Sequence, residues 1–320
     1  MKSPVTVFHF TRPSKELIVE YSRRISAYGA VVCFDFEDIL MDLSIHSYSE
    51  EERATLRSAI AETLEALSRQ QGGPKVGVRL NSISSIHFEN DLRILKRLSP
   101  RIFLDAVFLP KVEASEELSA AIEVLHEEGI KFGEIIPVIE TKCGMENLKR
   151  VFSIKDSEFK KIAFGHCDFN RDNNYFPFFH QDTEKYWQWI NQILSCAEGY
   201  NKIFVNSPYL RLEDAEGFTR MLMRLKGKTP NGIGQITLAE NQTKMCAEFK
   251  SHRVTLENAI AVRPQDKLRK AIEIISDFEN NRIPNKSISV NNKRILISPH
   301  EYAAAVEYMN VHAREYEISK

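Results

Sequence analysis

The sequence of 320 residues lacks the features that would assign it to several specialised classes of protein. Its formal net charge is −1, so no overall electrostatic field attracts nucleic acid or an anionic membrane. No apolar run approaches the roughly 18 residues of a membrane-spanning helix, and the amino-terminal run is too short for a signal peptide. We therefore expect a cytoplasmic protein with neither nucleic acid nor a membrane as a partner.

Cysteine is scarce, and its distribution excludes the common cysteine-based frameworks. The five cysteines are scattered and include no CxxC pair, which indicates reduced thiols rather than a disulfide scaffold. The glycine-rich patterns GxGxxG and GxxxxGKS/T are also absent after every predicted strand. An open nucleotide-binding sheet therefore lacks its usual marker.

Short apolar runs rich in Val, Ile and Phe alternate with amphipathic helical segments, as they do in successive βαβ units. Eight runs are predicted to be strands: Val5–Phe10, Val31–Phe36, Val76–Leu80, Ala106–Leu109, Ile135–Ile139, Ile162–Phe164, Ile203–Asn206 and Gly234–Leu238. Eight strands that are each followed by a helix favour a closed (β/α)₈ TIM barrel over an open doubly wound sheet.

The pattern changes after about residue 252. A helix is predicted near Pro264–Asn280, then a hairpin through Ser287–Ile297 and a helix from Pro299. We therefore divide the chain into a barrel over residues 1–252 and a carboxyl-terminal helical and hairpin extension, or lid, over residues 253–320.

Carboxylates follow two neighbouring strands, Glu140 after strand five and Asp168 after strand six. The active sites of (β/α)₈ barrels lie at the carboxyl ends of the strands, where these side chains would meet. Mg²⁺ commonly binds through one or two carboxylates and keeps its other positions for water and substrate. The pair therefore predicts a magnesium site, although single acidic residues of this kind are often ordinary surface groups.

Other polar residues at the strand ends are candidates for binding a substrate. They are Glu37 and Asp38, Arg79 and Asn81, Lys111, and Asn206. The planar guanidinium of Arg79 can hold a carboxylate through two parallel hydrogen bonds, and the alternative is a salt bridge inside the protein, for example to Glu37. A Schiff-base role for Lys111 stays open.

A zinc site is the less favoured interpretation of His166, Cys167 and Asp168, although His and Cys are good zinc ligands. If strand six continued through these residues, alternation would send His166 and Asp168 to one side and Cys167 to the other. No further Cys and His cluster completes a tetrahedral set.

Five segments carry a resemblance to a known family: VVCFDFEDIL (31–40), GVRLNS (77–82), VFLPKVEASEEL (107–118), IIPVIETKCGMENL (135–148) and IAFGHCDFNRD (162–172). They occur in order and in register with the predicted strands. Together they resemble the citrate lyase beta subunit and malyl-CoA lyase group of the HpcH/HpaI aldolase superfamily, over roughly residues 1–250.

The resemblance implies a carbon–carbon lyase that acts through a metal-stabilised enolate on a small hydroxy or keto acid, or on its CoA thioester. It implies Mg²⁺, with Mn²⁺ as the other candidate, on Glu140 and Asp168. It further implies a substrate carboxylate on Arg79, with Glu37 and Asp38 as orienting groups. A homo-oligomer is expected, because the lid in this family commonly reaches a neighbouring subunit's site.

Two departures from the family concern CoA. Arg12 and Lys15 could contact its phosphates, but their segment lacks the family's proline–glycine turn. Family members that act on CoA thioesters carry an aspartate two residues before the lid proline, where this chain has Ile297. An alkyl side chain cannot accept a proton, so we expect cleavage or condensation without hydrolytic release of CoA.

Two alternatives to the lyase remain. One is an HpaI-type pyruvate aldolase without CoA, although Ile39 stands where that branch usually has a histidine. The other is a non-catalytic accessory barrel that retains the metal site, which the missing lid aspartate supports.

Overall fold

The computed structural model describes residues 5–12, 18–37, 49–68, 73–229, 232–249, 265–281, 289–290 and 294–318. The strands of its main sheet are β1 (Val5–Thr11), β2 (Val31–Asp35), β3 (Val76–Arg79), β4 (Ala106–Leu109), β5 (Ile135–Ile139), β6 (Lys161–Phe164), β7 (Ile203–Asn206) and β8 (Ile233–Thr237). They form a closed parallel barrel in chain order, because β1 pairs with both β2 and β8. The predicted (β/α)₈ fold is therefore confirmed.

Helices connect the strands and cover the barrel. They are α1 (Ile18–Ala27), α2 (Glu50–Ser68), α3 (Ile86–Leu98), α4 (Ser115–Glu127), α5 (Lys142–Glu146), α6 (Leu148–Phe152), α7 (His166–Asp172), α8 (Glu184–Gly199), α9 (Ala215–Lys226) and α10 (Glu240–Ala247). Several begin at a hydroxyl that accepts a backbone N–H, as Thr183 does from Tyr186 at the start of α8. None of the helices in the described ranges is long and apolar enough to cross a membrane.

The apolar side chains form two layers because alternate residues of a strand point to opposite faces. Phe8, Phe108, Ile136 and Val205 belong to a cluster that fills the barrel interior. Their neighbours along the strands, such as Phe204, pack in a separate and larger cluster with the surrounding helices. The strands are buried on both faces, which explains why they were recognisable as nearly continuous apolar runs.

The carboxyl-terminal extension contains α11 (Gln265–Asn280), β9 (Ser289–Val290), β10 (Leu296–Ile297) and α12 (Pro299–Ile318). The strands β9 and β10 pair antiparallel, as the predicted hairpin requires. The helices α11 and α12 pack around Ile274, Phe278, Ile297 and Tyr302. The predicted boundary at residue 252 lies outside the described residues and stays a prediction.

Candidate functional site

The alternation of the strands decides which polar residues enter the mouth of the barrel. In β2 and β3, Asp35 and Arg79 lie directly opposite each other in the strand register. Asp35 is two residues beyond Cys33, whose side chain faces the interior, and Arg79 is two residues beyond Gly77, where an added β-carbon would lie against Cys33. The same alternation brings Glu140 into the mouth, two residues beyond Val138.

Glu140 is the most deeply buried carboxylate of the mouth, with 1% of its surface exposed. Its Oε1 accepts the backbone N–H of Lys111 at 2.9 Å. The residue after β6 is Gly165, and a β-carbon at this position would collide with Oε2 of Glu140. Burial raises the pKa of Glu140 well above its ordinary value, and the negative charges of Asp168 and Glu37 raise it further.

Asp168 reaches the mouth from the first turn of α7. Its Oδ1 lies 3.8 Å from Nζ of Lys111 and 3.0 Å from Nε2 of His300. Burial by itself would raise the pKa of Asp168, but His300, Lys111 and Arg79 outweigh that effect and hold the pKa below its ordinary value. The two predicted metal carboxylates therefore occupy the same charged cluster.

Glu37 bridges the two cations of the mouth. Its Oε1 accepts a hydrogen bond from Nζ of Lys111, and its Oε2 lies 3.3 Å from Nη1 of Arg79. Arg79 also holds Asp35 through two parallel contacts, from Nε to Oδ1 at 2.9 Å and from Nη2 to Oδ2 at 2.5 Å. The salt bridge between Arg79 and Glu37 that the sequence allowed is thus present.

Lys111 is held as a charged amine. Its backbone has a φ of 52°, in the left-handed region, which turns the chain just after β4. Burial by itself would lower the pKa of Lys111, but the charges of Glu37, Glu140 and Asp168 raise it above its ordinary value. A Schiff-base lysine needs a depressed pKa to become a nucleophile, so this environment does not favour that role.

The donor set of the mouth suits one divalent cation. Its described part contains four carboxylates and two cations: Asp35, Glu37, Glu140 and Asp168 against Lys111 and Arg79. Carboxylates thus outnumber Lys111 and Arg79 in this cluster, and the carboxylate oxygens match the preference of Mg²⁺. No group of three or more His, Cys, Asp or Glu side chains in the described ranges could hold a metal, so the site would rest on two carboxylates and water.

Two predicted substrate contacts lie elsewhere. Asn206 is adjacent to the interior residue Val205 and therefore faces the helices, where it accepts from Tyr186 Oη at 2.5 Å and donates to Gln235 at 2.9 Å. Asn81 donates through Nδ2 to Asp91 at 2.7 Å and to the carbonyl of Phe36. Both side chains support the barrel rather than the charged cluster, so we leave them out of the proposed site.

Of the two predicted CoA contacts, Arg12 and Lys15, the structure describes only Arg12. Arg12 directly follows β1 and is partly buried. Lys15 and Asp38 lie outside the described residues. Ile297, which stands in place of the family's lid aspartate, is buried among apolar side chains of the extension.

Strand six ends as predicted at Phe164, but the argument against zinc applied strand alternation as far as Asp168 and was wrong, because α7 begins at His166. The side chains of His166 and Asp168 therefore diverge, and Nε2 of His166 contacts Nδ1 of His180 at 3.0 Å. The argument from strand alternation against zinc is lost with the strand.

The sequence interpretation missed two participants, Asp35 and His300. Asp35 lies inside the predicted strand Val31–Phe36 and was given no role, although its register opposite Arg79 would have paired them. His300 comes from the extension, and no local pattern connects it with Asp168. The helix start at Ser298-Pro299 was its only available signal.

A family model described as HpcH/HpaI aldolase/citrate lyase matches residues 24–224 of the chain. The match contains every barrel residue of the charged cluster and excludes the extension. No curated protein matches the sequence significantly.

Solved structures share the fold at low sequence identity. A malate synthase from Haloferax volcanii, in a ternary complex with pyruvate and acetyl-CoA, is 15% identical with a TM-score of 0.68, over 99% of this chain and 92% of that one. A citrate lyase from Burkholderia xenovorans is 14% identical with a TM-score of 0.60, over 97% and 92%. A citrate lyase beta subunit from M. tuberculosis, complexed with oxaloacetate and magnesium, is 17% identical with a TM-score of 0.55, over 77% and 96%.

Proposed function

The chain belongs to the HpcH/HpaI aldolase/citrate lyase family, and from this premise we propose that it is a Mg²⁺-dependent enzyme that breaks or forms a carbon–carbon bond in a small hydroxy or keto acid. The observation that carries the proposal is the cluster at the barrel mouth. There the charge of Asp168 acts on Glu140, and Lys111 and Arg79 belong to the same cluster. Buried carboxylates in excess over cations are costly unless a further cation joins them.

The substrate class follows from the charges of the site. A small organic acid carries a carboxylate, and the two described cations of the mouth can attract it. Two structural neighbours support this class, since one was solved with oxaloacetate and magnesium and the other with pyruvate and acetyl-CoA. We propose that the carboxylate binds at Arg79 and displaces Glu37 from part of the guanidinium.

The reaction requires a site that tolerates developing negative charge. In the cleavage direction, the bond breaks between the hydroxyl-bearing carbon and the carbon next to a carbonyl. The hydroxyl group loses its proton and becomes a carbonyl, and the electron pair of the broken bond passes into an enolate that is then protonated. Lys111 and Arg79 would stabilise that enolate electrostatically.

Glu140 and Asp168 would hold the magnesium ion. When bound, Mg²⁺ supplies Lewis-acid polarisation of the substrate oxygen. Before substrate binds, Glu37 bridges both cations through its two oxygens, and in this proposal it keeps its contact with Lys111 when the substrate carboxylate takes its place at Arg79. The charged amine of Lys111 acts in this proposal through its charge and not as a nucleophile.

A CoA thioester is the second substrate form that the proposal includes. The neighbour solved with acetyl-CoA supports testing it, and Ile297 argues against hydrolysis of the thioester. We therefore propose carbon–carbon chemistry without release of CoA.

The test is a turnover panel with Mg²⁺ and small hydroxy acids, keto acids and their CoA thioesters, with direct detection of the keto-acid products and colorimetric detection of thiols. We expect product with at least one substrate, loss of activity in a chelator, and no thiol release. Thiol release without carbon–carbon cleavage would contradict the proposal. Absence of turnover with every substrate, together with tight ligand binding, would favour a non-catalytic accessory role for the barrel.

A further inference from the structure

The extension places a single imidazole against one of the proposed metal carboxylates. His300 is 5% exposed, and its Nε2 lies 3.0 Å from Oδ1 of Asp168. An ionised carboxylate only accepts hydrogen bonds, so the nitrogen that faces it must carry the hydrogen. The ring therefore restricts how the Asp168 carboxylate can turn.

The first turn of α12 is fixed independently of this contact. Oγ of Ser298 accepts the backbone N–H of Glu301 at 3.1 Å, and Pro299 occupies the first helical position, where proline is favoured. Oε1 of Glu301 lies 3.3 Å from Nε2 of His180, on the loop after α7. Because Glu301 also contacts the barrel, docking of α12 does not depend on His300 alone.

A contact further along the helix has the same effect. The ring of Phe176 stacks on Tyr308 of α12, with the ring centroids 5.0 Å apart. Besides the contact of His300, an ion pair (Glu301 with His180) and an aromatic pair (Tyr308 with Phe176) thus hold α12 on the barrel. His300 is the one of these groups that contacts a proposed metal carboxylate.

We propose that His300 is a positioning residue of the metal centre, which holds the Asp168 carboxylate in the orientation that binds the cation. The inference rests on the proposed function, because it presumes that Asp168 is a metal ligand. It makes the carboxyl-terminal extension part of the site within one chain. Partners that orient a metal ligand through a hydrogen bond typically contribute about 10- to 100-fold to metal affinity or activity.

The test measures the affinity of the protein for Mn²⁺ alone, followed by its electron paramagnetic resonance signal. His300→Phe keeps a ring but removes the donor, and His300→Gln keeps an N–H at a similar reach. We expect Mn²⁺ affinity to fall about 10- to 100-fold in His300→Phe and to stay within about threefold in His300→Gln. The matched controls are His126→Phe and His126→Gln, since His126 is half exposed and pairs with Glu158 away from the mouth.

The outcomes separate this inference from the proposed function. If the native protein binds no Mn²⁺, the proposed function fails and the inference fails with it. If the native protein binds Mn²⁺ and His300→Phe binds it equally well, the inference alone is overturned. A purely structural role would instead lower the melting temperature of both His300 variants without separating their Mn²⁺ affinities.

A second measurement does not depend on the folding of His300→Phe. In ¹⁵N-labelled native protein, the imidazole signal of His300 is identified by its loss in His300→Gln. Saturating Mg²⁺ should shift that signal and leave the signal of His126 in place. An unmoved His300 signal in protein that binds Mg²⁺ would overturn the inference.

Discussion

The two ends of the barrel differ in how their carboxylates and cations are balanced. At the amino ends of the strands, Lys161 and Glu134 form a pair at 2.5 Å, and both side chains are 12% exposed. Beside them, the carboxylate of Asp105 accepts the backbone N–H of Val76 at 3.0 Å. At the carboxyl ends, carboxylates outnumber the cations in the described cluster, and the pKa of the buried Glu140 is raised.

The difference shows where the barrel is stabilised and where it is prepared for a ligand. A matched pair such as Lys161 and Glu134 needs nothing further for neutrality. The mouth has carboxylates in excess among its described side chains, which is why we propose that it binds a metal cation. This division agrees with the general behaviour of (β/α)₈ barrels, in which the carboxyl face carries function and the amino face carries stability.

The largest effect should come from removing a metal carboxylate. Glu140→Gln and Asp168→Asn should each weaken Mg²⁺ binding by at least about 100-fold, because each loses a charged ligand. Removing Glu140's charge also relieves repulsion, so stability without metal should not fall. Calorimetric titration with Mg²⁺ and a thermal melt measure both quantities. Undiminished Mg²⁺ binding in both variants would remove the central claim.

The next effect concerns the substrate carboxylate. Arg79→Lys keeps a positive charge but loses the planar pair of donors, so KM should rise about 30-fold, or about 2 kcal/mol. Mg²⁺ affinity should change much less. Arg220→Lys is the matched control, since Arg220 is half exposed and pairs with Glu216 on α9. Unchanged kcat and KM in Arg79→Lys would show that Arg79 only supports Asp35.

A buried group outside the mouth should make stability depend on pH. Nδ1 of His9 contacts Thr237 and Thr243, its Nε2 contacts Oη of Tyr21 at 2.9 Å, and burial lowers the pKa of His9 to about 4. In the unfolded chain His9 takes up a proton near pH 6.5, whereas in the folded chain it does so only near pH 4. The contribution of neutral His9 to the free energy of unfolding is therefore complete above pH 6.5 and is lost as the pH falls towards 4.

The expected loss is about 2 kcal/mol of unfolding free energy between pH 6.5 and pH 5. It should be missing in His9→Gln and present in His126→Gln, where the replaced ring is half exposed. Urea unfolding at several pH values measures it. Parallel pH profiles in the native protein and His9→Gln would contradict the assignment.

The smallest effect should come from the opposite end of the barrel. Lys161→Met leaves Glu134 without its closest cation, which should cost about 1 kcal/mol of stability at this partial exposure. The kcat/KM of the folded protein should not change, because the pair lies far from the mouth along the strands. A large loss of activity without a loss of stability would break the comparison between the two ends.

Much of the fold was predictable because it depends on local patterns. Each of the eight strands lies within two residues of its predicted bounds, since strands buried on both faces are recognisable as short apolar runs. The start of α12 at Pro299 was also predicted. The argument against zinc failed at His166 because it applied strand alternation beyond Gly165, where the chain turns into α7.

The site was predictable only in part. Glu37, Arg79, Lys111, Glu140 and Asp168 were all identified as strand-end residues, and the structure brings them into one cluster. Asn206 was assigned to the same set, although the alternation of β7 sends it to the helices. The two-residue period separates Asn206 from the interior residue Val205, but it would also have excluded Lys111, which reaches the mouth through the turn after β4.

The sequence by itself determined the strands, the closed parallel fold and the charged residues at the strand ends, because hydrophobic periodicity and turn chemistry act over a few residues. Only the tertiary structure decided which charges pair, that Glu37 bridges Lys111 and Arg79, and that His300 reaches Asp168. Those contacts join segments far apart in the chain. Their geometry depends on how the helices and the extension pack on the barrel, which no local pattern encodes.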